Sequence, residues 1–206
     1  EMCIRDRDVI ALAKQYNANG ADELLVFDLS DSDEDHEESI DLIKKINRII
    51  SIPMVAGGNI RRAEDVKKLL YAGVKRAMLN FSKKVSIDLI KEVSLRFGKE
   101  KIAICTDSFA QLQANKARVN EYTSRVILLC DEVDVRTTAR LVEVPVLPVS
   151  TRADRHGLLK LLMLDNICGV CGDTFSDLNE DLMAAKLEAK KHGVEINTCL
   201  LYTSPS

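Results

Sequence analysis

One beat repeats along this chain: an amphipathic helix, a glycine, then a short run that is apolar throughout instead of alternating. Val9, Leu12, Ala13 and Tyr16 share a helical face, and Asn19-Gly20 ends that helix ahead of an apolar run at 24–29. An acidic loop at 31–38 leads into a helix with Ile43, Ile46 and Ile50 on one side, followed by a strand at 52–56. Pro53 lies at the opening of that strand, where a missing N–H is tolerated. The pattern continues with a helix at 63–71 closed by Gly73, a strand at 77–80, a helix at 86–97 closed by Gly98, and a strand at 101–106. The second half predicts strands at 126–130, 144–149 and 167–171, with helices at 109–122, 135–141, 155–164 and 179–192. Strands that are apolar on both sides belong to a sheet covered on both faces, hence to a parallel α/β architecture. Seven strands and eight helices fit a (β/α)8 barrel lacking its first strand, and a doubly wound open sheet with the same rhythm is the alternative.

Size and charge narrow the class. At 206 residues the chain can bury one good core and is too short for two large domains. Its net charge of −3 gives no general attraction to nucleic acid or to an anionic membrane, and no apolar stretch approaches bilayer length. Six cysteines, mostly inside apolar runs, suit a reducing compartment better than a disulfide scaffold, so a cytoplasmic location is expected. Residues 1–7 and 199–206 resemble translated sequencing-adapter read-through and are set aside. That leaves a single barrel domain at 8–198, read as an excerpt of a longer protein; full barrels run to about 250 residues.

The sharpest local feature is the run Ile52-Pro-Met-Val-Ala-Gly-Gly-Asn-Ile60, which ends an apolar strand on two glycines and opens directly onto a helix. Glycines let a backbone come close to an anion, and the following helix presents unpaired N–H groups at the positive end of its dipole. A phosphate would sit there. A glycine turn that only closes a strand-to-helix connection reads equally well.

Asp22 to Ser30 (D-E-L-L-V-F-D-L-S), the glycine run, Glu64 to Gly73 (E-D-V-K-K-L-L-Y-A-G) and Leu79-Asn80 together resemble the histidine-biosynthesis barrels, and among them the cyclase subunit of imidazole glycerol phosphate synthase. The resemblance runs from about Asp8 to Asp107 and thins afterwards. It implies a TIM barrel of the ribulose-phosphate-binding type whose strand C-termini hold a substrate with a phosphate at each end. It also implies two aspartates, on the first and fifth strands, that exchange protons, and ammonia delivered through the barrel by a glutaminase partner.

Position by position, Gly57 and Gly58 match the family's glycine turn, and Asn59 stands where a third glycine would be. Asn80 matches the asparagine after the family's fourth strand, while its neighbour Phe81 replaces a small hydroxyl residue. These four, Gly57, Gly58, Asn59 and Asn80, are the expected phosphate-binding residues. Asp107 falls where the fifth-strand catalytic aspartate would be, and Asp28 matches an aspartate of the substrate pocket. A carboxylate at a strand end in a barrel mouth is placed for proton transfer; a loop aspartate capping the next helix is the other reading of Asp107. Across the barrel the pattern is altered, with Ser150-Thr151 for a glycine pair and Gly172-Asp173 for small residues, and Asp173 would repel a phosphate.

Three further features each have a functional and a plain reading. Cys168 and Cys171 have a metal or redox spacing but lie in a predicted core strand with no second pair, so they read as buried structural cysteines; no metal and no cofactor is expected. The acidic run with His36 lacks the order of a calcium loop and reads as solvated. Arg152, Arg155 and His156 either draw phosphate to the seventh strand end or open a solvent-facing helix.

Two functions of different class follow from the resemblance. One is a cyclase-type lyase acting on a phosphorylated aminoimidazole ribonucleotide, with Asp107 and a first-strand aspartate outside this sequence as its acid/base pair. The other is a barrel without catalysis, retained as the N-terminal domain of a protein with phosphoribosyl-AMP cyclohydrolase and phosphoribosyl-ATP pyrophosphatase modules. With one acid outside it, the excerpt is expected to be inactive alone.

Overall fold

A computed structural model describes residues 6–30, 32–129, 134–150, 154–172 and 182–195. In chain order the elements are α1 (Asp6–Ala18), β1 (Leu24–Phe27), α2 (Asp33–Asn47), β2 (Met54–Gly57), α3 (Ala63–Tyr71), β3 (Arg76–Asn80) and α4 (Lys84–Phe97). Then come β4 (Ile102–Thr106), α5 (Phe109–Ala114), α6 (Lys116–Tyr122), β5 (Arg125–Leu129), α7 (Val135–Leu141), β6 (Val146–Ser150), α8 (Arg155–Leu162), β7 (Cys171–Gly172) and α9 (Leu182–Lys191). The seven strands pair in sequence order, every pairing parallel, with helices between them. This is a (β/α)8 barrel short of one strand, and the doubly wound alternative is excluded because sequential order never reverses at a switch point.

Strand period explains the two cores. On β2, Met54 and Ala56 join a large cluster with Ile43, Val66 and Leu69 between sheet and helices. The intervening Val55 joins Met78, Ala103, Cys105, Ile127 and Leu147 in a small cluster on the other face, the barrel interior. At the N-terminal ends of the strands that interior carries charge. Glu23, just before β1, pairs with Arg76 at 3.1 Å and with Arg125, so one carboxylate is shared between two guanidiniums from β3 and β5. Burial, followed by repulsion from Arg125, pulls the Arg76 pKa below its ordinary value, and Glu23 opposes this. On the helical layer, Lys186 of α9 is 5% exposed and donates to Asp22 at 2.8 Å, tying the last described helix to the entry of β1.

Several expected boundaries move for physical reasons. The acidic run is not a loop beyond Ser32: α2 begins at Asp33, because Ser32 accepts a hydrogen bond from the Asp35 N–H and Asp33, Glu34 and Asp35 sit at the positive end of the helix dipole. The expected helix at 109–122 is two helices, broken at Asn115, whose amide folds back onto the Gln111 carbonyl. The expected strand at 167–171 is reduced to β7, with Ile167 joined to Val146 only by an isolated bridge. Cys168 is therefore exposed and Cys171 half-buried, which corrects their reading as core cysteines.

Asn166 accounts for that departure. It holds φ 62 and its amide donates to the carbonyls of Ala139, Val142 and Val144 at 2.9, 3.0 and 3.1 Å, closing the α7 end while turning the chain. Asn166→Ala should lower stability by about 2 kcal/mol, since it strands carbonyls and keeps the left-handed backbone. Urea unfolding would read this, and a midpoint within error of wild type would remove the role.

The N-terminal start of the expected last helix (179–181), Cys130, Arg152 and most of the two set-aside ends lie outside the described residues; α1 begins at Asp6, inside the first of those ends. Among the described residues no helix is long and apolar enough to cross a membrane.

Candidate phosphate and acid–base site

Parallel strands deliver their C-terminal ends to one face, and there the glycine turn lies between the ends of β1 and β3, with β4 on the far side of β3. Gly58 holds φ +137, and a Cβ on it would stand 2.3 Å from the Asp28 carbonyl oxygen. A Cβ on Gly57 would stand 2.1 Å from the Met78 carbonyl oxygen. Both glycines are thus required by the approach of neighbouring backbone. Gly57 accepts from the Asp28 N–H at 2.7 Å, whereas no described residue accepts from the N–H of Gly58 or Asn59. Two adjacent open donors at a strand end are the kind of group an anion site uses.

The Asn59 side chain does not join those donors. It is 2% exposed, donates to the Ser30 hydroxyl at 3.2 Å and accepts from Arg61 Nε at 3.2 Å, bracing the loop after β1 against the loop after β2. Asp28 is likewise committed. Its carboxylate accepts from the Ser30 N–H at 3.0 Å and pairs with His36 Nδ1, with only 2% of its side chain exposed. On the far side of the imidazole, Nε2 lies 4.0 Å from Asp65, which also accepts from the N–H groups of Arg61 and Arg62 at 3.0 and 3.1 Å. Asp28, His36 and Asp65 form a buried polar layer beneath the glycine turn.

Asn80 and Asp107 meet through Ser82. Asn80 Oδ1 accepts from the Ser82 N–H at 2.9 Å, and no described residue accepts from the Asn80 amide nitrogen. The Ser82 hydroxyl donates to Asp107 Oδ1 at 3.0 Å. The cap of α5 is Ser108, which accepts from the Gln111 N–H at 3.3 Å, so Asp107 is not the helix cap and its carboxylate stands exposed at the mouth. Beside it the Cys105 thiol is pushed up to about 12 by burial and then by the Asp107 charge, with Lys83 opposing. Phe81, which occupies a hydroxyl position in the family pattern, is fully buried in the outer core.

On the opposite side, Arg155 is not available to a phosphate in the way its sequence position suggested. Its guanidinium holds Glu188 of α9 at 2.7 Å, while His156 is exposed and Ser150 buried at the end of β6. Thr151, Arg152 and Asp173 lie outside the described residues. Among the described residues no cluster of three metal-ligating side chains occurs.

Sequence reasoning missed Ser82 and read His36 as part of a solvated run, whereas the imidazole is buried against Asp28. For His36 a signal existed, since Ser32 and Asp35 have capping-box spacing and His36, Ile40 and Ile43 recur on one helical face. For Ser82 there was none, because the contact depends on where β4 ends.

The sequence has relatives among known proteins. Residues 4–165 match the sequence model of the family described as "Histidine biosynthesis protein". The subunit HisF of imidazole glycerol phosphate synthase from Endomicrobium trichonymphae is 37% identical over 101 residues, covering 49% of this chain and 39% of that protein. The HisF subunit from Streptomyces coelicolor is also 37% identical over 101 residues, with 49% and 40% covered. That from Buchnera aphidicola is 31% identical over 119 residues, with 58% and 46% covered. The chain spans less than half the length of these curated relatives. With the family pattern matched over most of its length and the strands in barrel order, this chain belongs to the histidine biosynthesis protein family and is a HisF-like barrel.

Proposed function

We propose that this barrel binds a phosphorylated ribonucleotide intermediate of histidine biosynthesis at the C-terminal ends of its strands, as a cyclase of the HisF type. One phosphate rests on the N–H groups of Gly58 and Asn59 and on the Asn80 amide, with Gly57 providing the close backbone approach. Asp107 exchanges protons with the substrate, paired with an aspartate on a first strand that is not in this sequence. Asp28 shapes the pocket wall from behind, through His36, without touching substrate. A glutaminase subunit that supplies ammonia is the partner of such a cyclase, and the setting is cytoplasmic.

The observation that carries this reading is the pair of open donors at the end of β2, on the same strand-end face as an exposed carboxylate after β4 that caps no helix. Open backbone donors in a folded protein call for an acceptor. Titrating inorganic phosphate into the isotope-labelled chain should move the amide signals of Gly58 and Asn59 and the side-chain amide of Asn80. Movement elsewhere, or none, would overturn the phosphate assignment. In the protein encoded by the uninterrupted gene, Asp107→Asn should lower ammonia-dependent turnover about a thousandfold, the range of a lost acid/base group.

The second reading is a barrel without catalysis at the head of a protein with cyclohydrolase and pyrophosphatase modules. It is supported by the commitment of Arg155 to Glu188 and by the limit of the HisF likeness to about half the chain. A reading frame that continues into cyclohydrolase motifs would favour it.

A further inference from the structure

Ser82 occupies a position that the phosphate reading does not use. The chain leaves β3 with Phe81 directed into the outer core and its N–H donating to the Cys105 carbonyl at 2.8 Å. That anchor brings Ser82 back over the mouth, where its N–H is fixed on Asn80 and its hydroxyl on Asp107. One exposed residue thus joins the side chain expected to hold phosphate to the carboxylate expected to move protons.

A serine hydroxyl has a single proton to donate. Without an anion, that proton lies on Asp107. A phosphate drawn to the Asn80 amide arrives beside Ser82 carrying more negative charge than a carboxylate, and competes for the same proton. We propose that Ser82 is a positioning residue shared between the bound phosphate and Asp107: loading the anion site takes the hydroxyl away from the carboxylate. The carboxylate is then left without the hydroxyl, its oxygen open to a substrate proton at the moment the site is filled. No bond is made or broken; one hydrogen bond changes its acceptor. The inference rests on the proposed phosphate site.

The test is a double-mutant cycle on phosphate affinity, read from the Gly58 and Asn59 amide signals of the labelled chain. Asp107→Asn removes a nearby negative charge in any background and so tightens phosphate binding. If Ser82 is shared, it also releases the hydroxyl, and the tightening should be about tenfold larger with Ser82 present than in Ser82→Ala, the scale of one hydrogen bond to a charged group. Ser82→Thr, which keeps a hydroxyl, should preserve the larger effect. Equal tightening in both backgrounds would overturn the role of Ser82 and leave the phosphate site standing. No phosphate response in the wild-type chain would overturn the site and the inference with it. Both side chains are exposed, and thermal melts of the variants would confirm that each is folded.

Discussion

Gly58→Ala is expected to lower the stability of the barrel by about 4 kcal/mol, combining overpacking with a strained backbone. The added Cβ would lie 2.3 Å from the carbonyl oxygen of Asp28, with the Asp28 carbonyl carbon and nitrogen at 3.2 and 3.3 Å. Those atoms are backbone at the end of β1, held by the Asp28 N–H bond to Gly57, and cannot swing aside as a side chain would. The residue also holds φ +137, outside the range L side chains favour. Gly169 is the control, because a Cβ there would meet only the Leu147 Cδ1 at an ordinary 3.7 Å. Gly169→Ala should stay within about 0.5 kcal/mol of wild type. Urea midpoints that fall equally in the two variants would show that the close approach at Gly58 is not what demands glycine. A correspondingly small loss at Gly58 would mean the turn can relax away from β1, and the anion cradle would then not be preformed.

That prediction also separates two meanings of the glycine pair. In the sequence, Gly57-Gly58 read either as a phosphate cradle or as a turn that merely closes a connection. The backbone approaches to Met78 and Asp28 are sufficient to require both glycines with no ligand present. The open N–H groups of Gly58 and Asn59 are a separate observation, and only they speak for an anion.

The parts of the fold governed by local pattern were legible. Helices α3 and α7 fall where their apolar faces placed them, and the strands from β1 to β6 lie within two or three residues of their apolar runs. Where the pattern failed, a long-range fact decided. Leu112 and Val119 both face the core seven residues apart, so periodicity runs unbroken across the Asn115 break between α5 and α6. An apolar run also cannot say whether a neighbouring strand exists on each side, and among the described residues, 167–171 pair on one side only, through Ile167 and β7. The site divides the same way. Gly57, Gly58, Asn80 and Asp107 could be placed from strand ends, but the direction of each side chain could not. Asn59 and Asp28 turn into the brace between two loops because Ser30 and His36 meet them there, contacts spanning 29 and 8 residues. A run of acids around a lone histidine carries no mark of those partners.

His36→Leu is expected to cost about 3 kcal/mol, the upper range for leaving a buried charged acceptor without its hydrogen-bond partner. The imidazole is 5% exposed and stands between two carboxylates whose side chains are only 2% and 3% exposed. Those carboxylates are not equally dependent on it. Asp65 keeps the N–H groups of Arg61 and Arg62 and the Arg62 guanidinium at 3.3 Å, so its charge remains answered. Among the described residues the Asp28 carboxylate keeps only the Ser30 N–H, and leucine supplies it nothing. Most of the loss should therefore come from one stranded carboxylate, and neutralising it should recover part of the loss. The double variant Asp28→Asn/His36→Leu should be more stable than His36→Leu alone by at least about 1 kcal/mol, a sign opposite to simple addition of two damaging changes. Because Gly58 packs directly on the Asp28 backbone, the single variant should also speed hydrogen exchange at the amides flanking the glycine turn before the rest of the barrel opens. A double variant no better than the single would mean the stranded charge is not the source of the loss, and the buried layer would be a matter of packing volume alone.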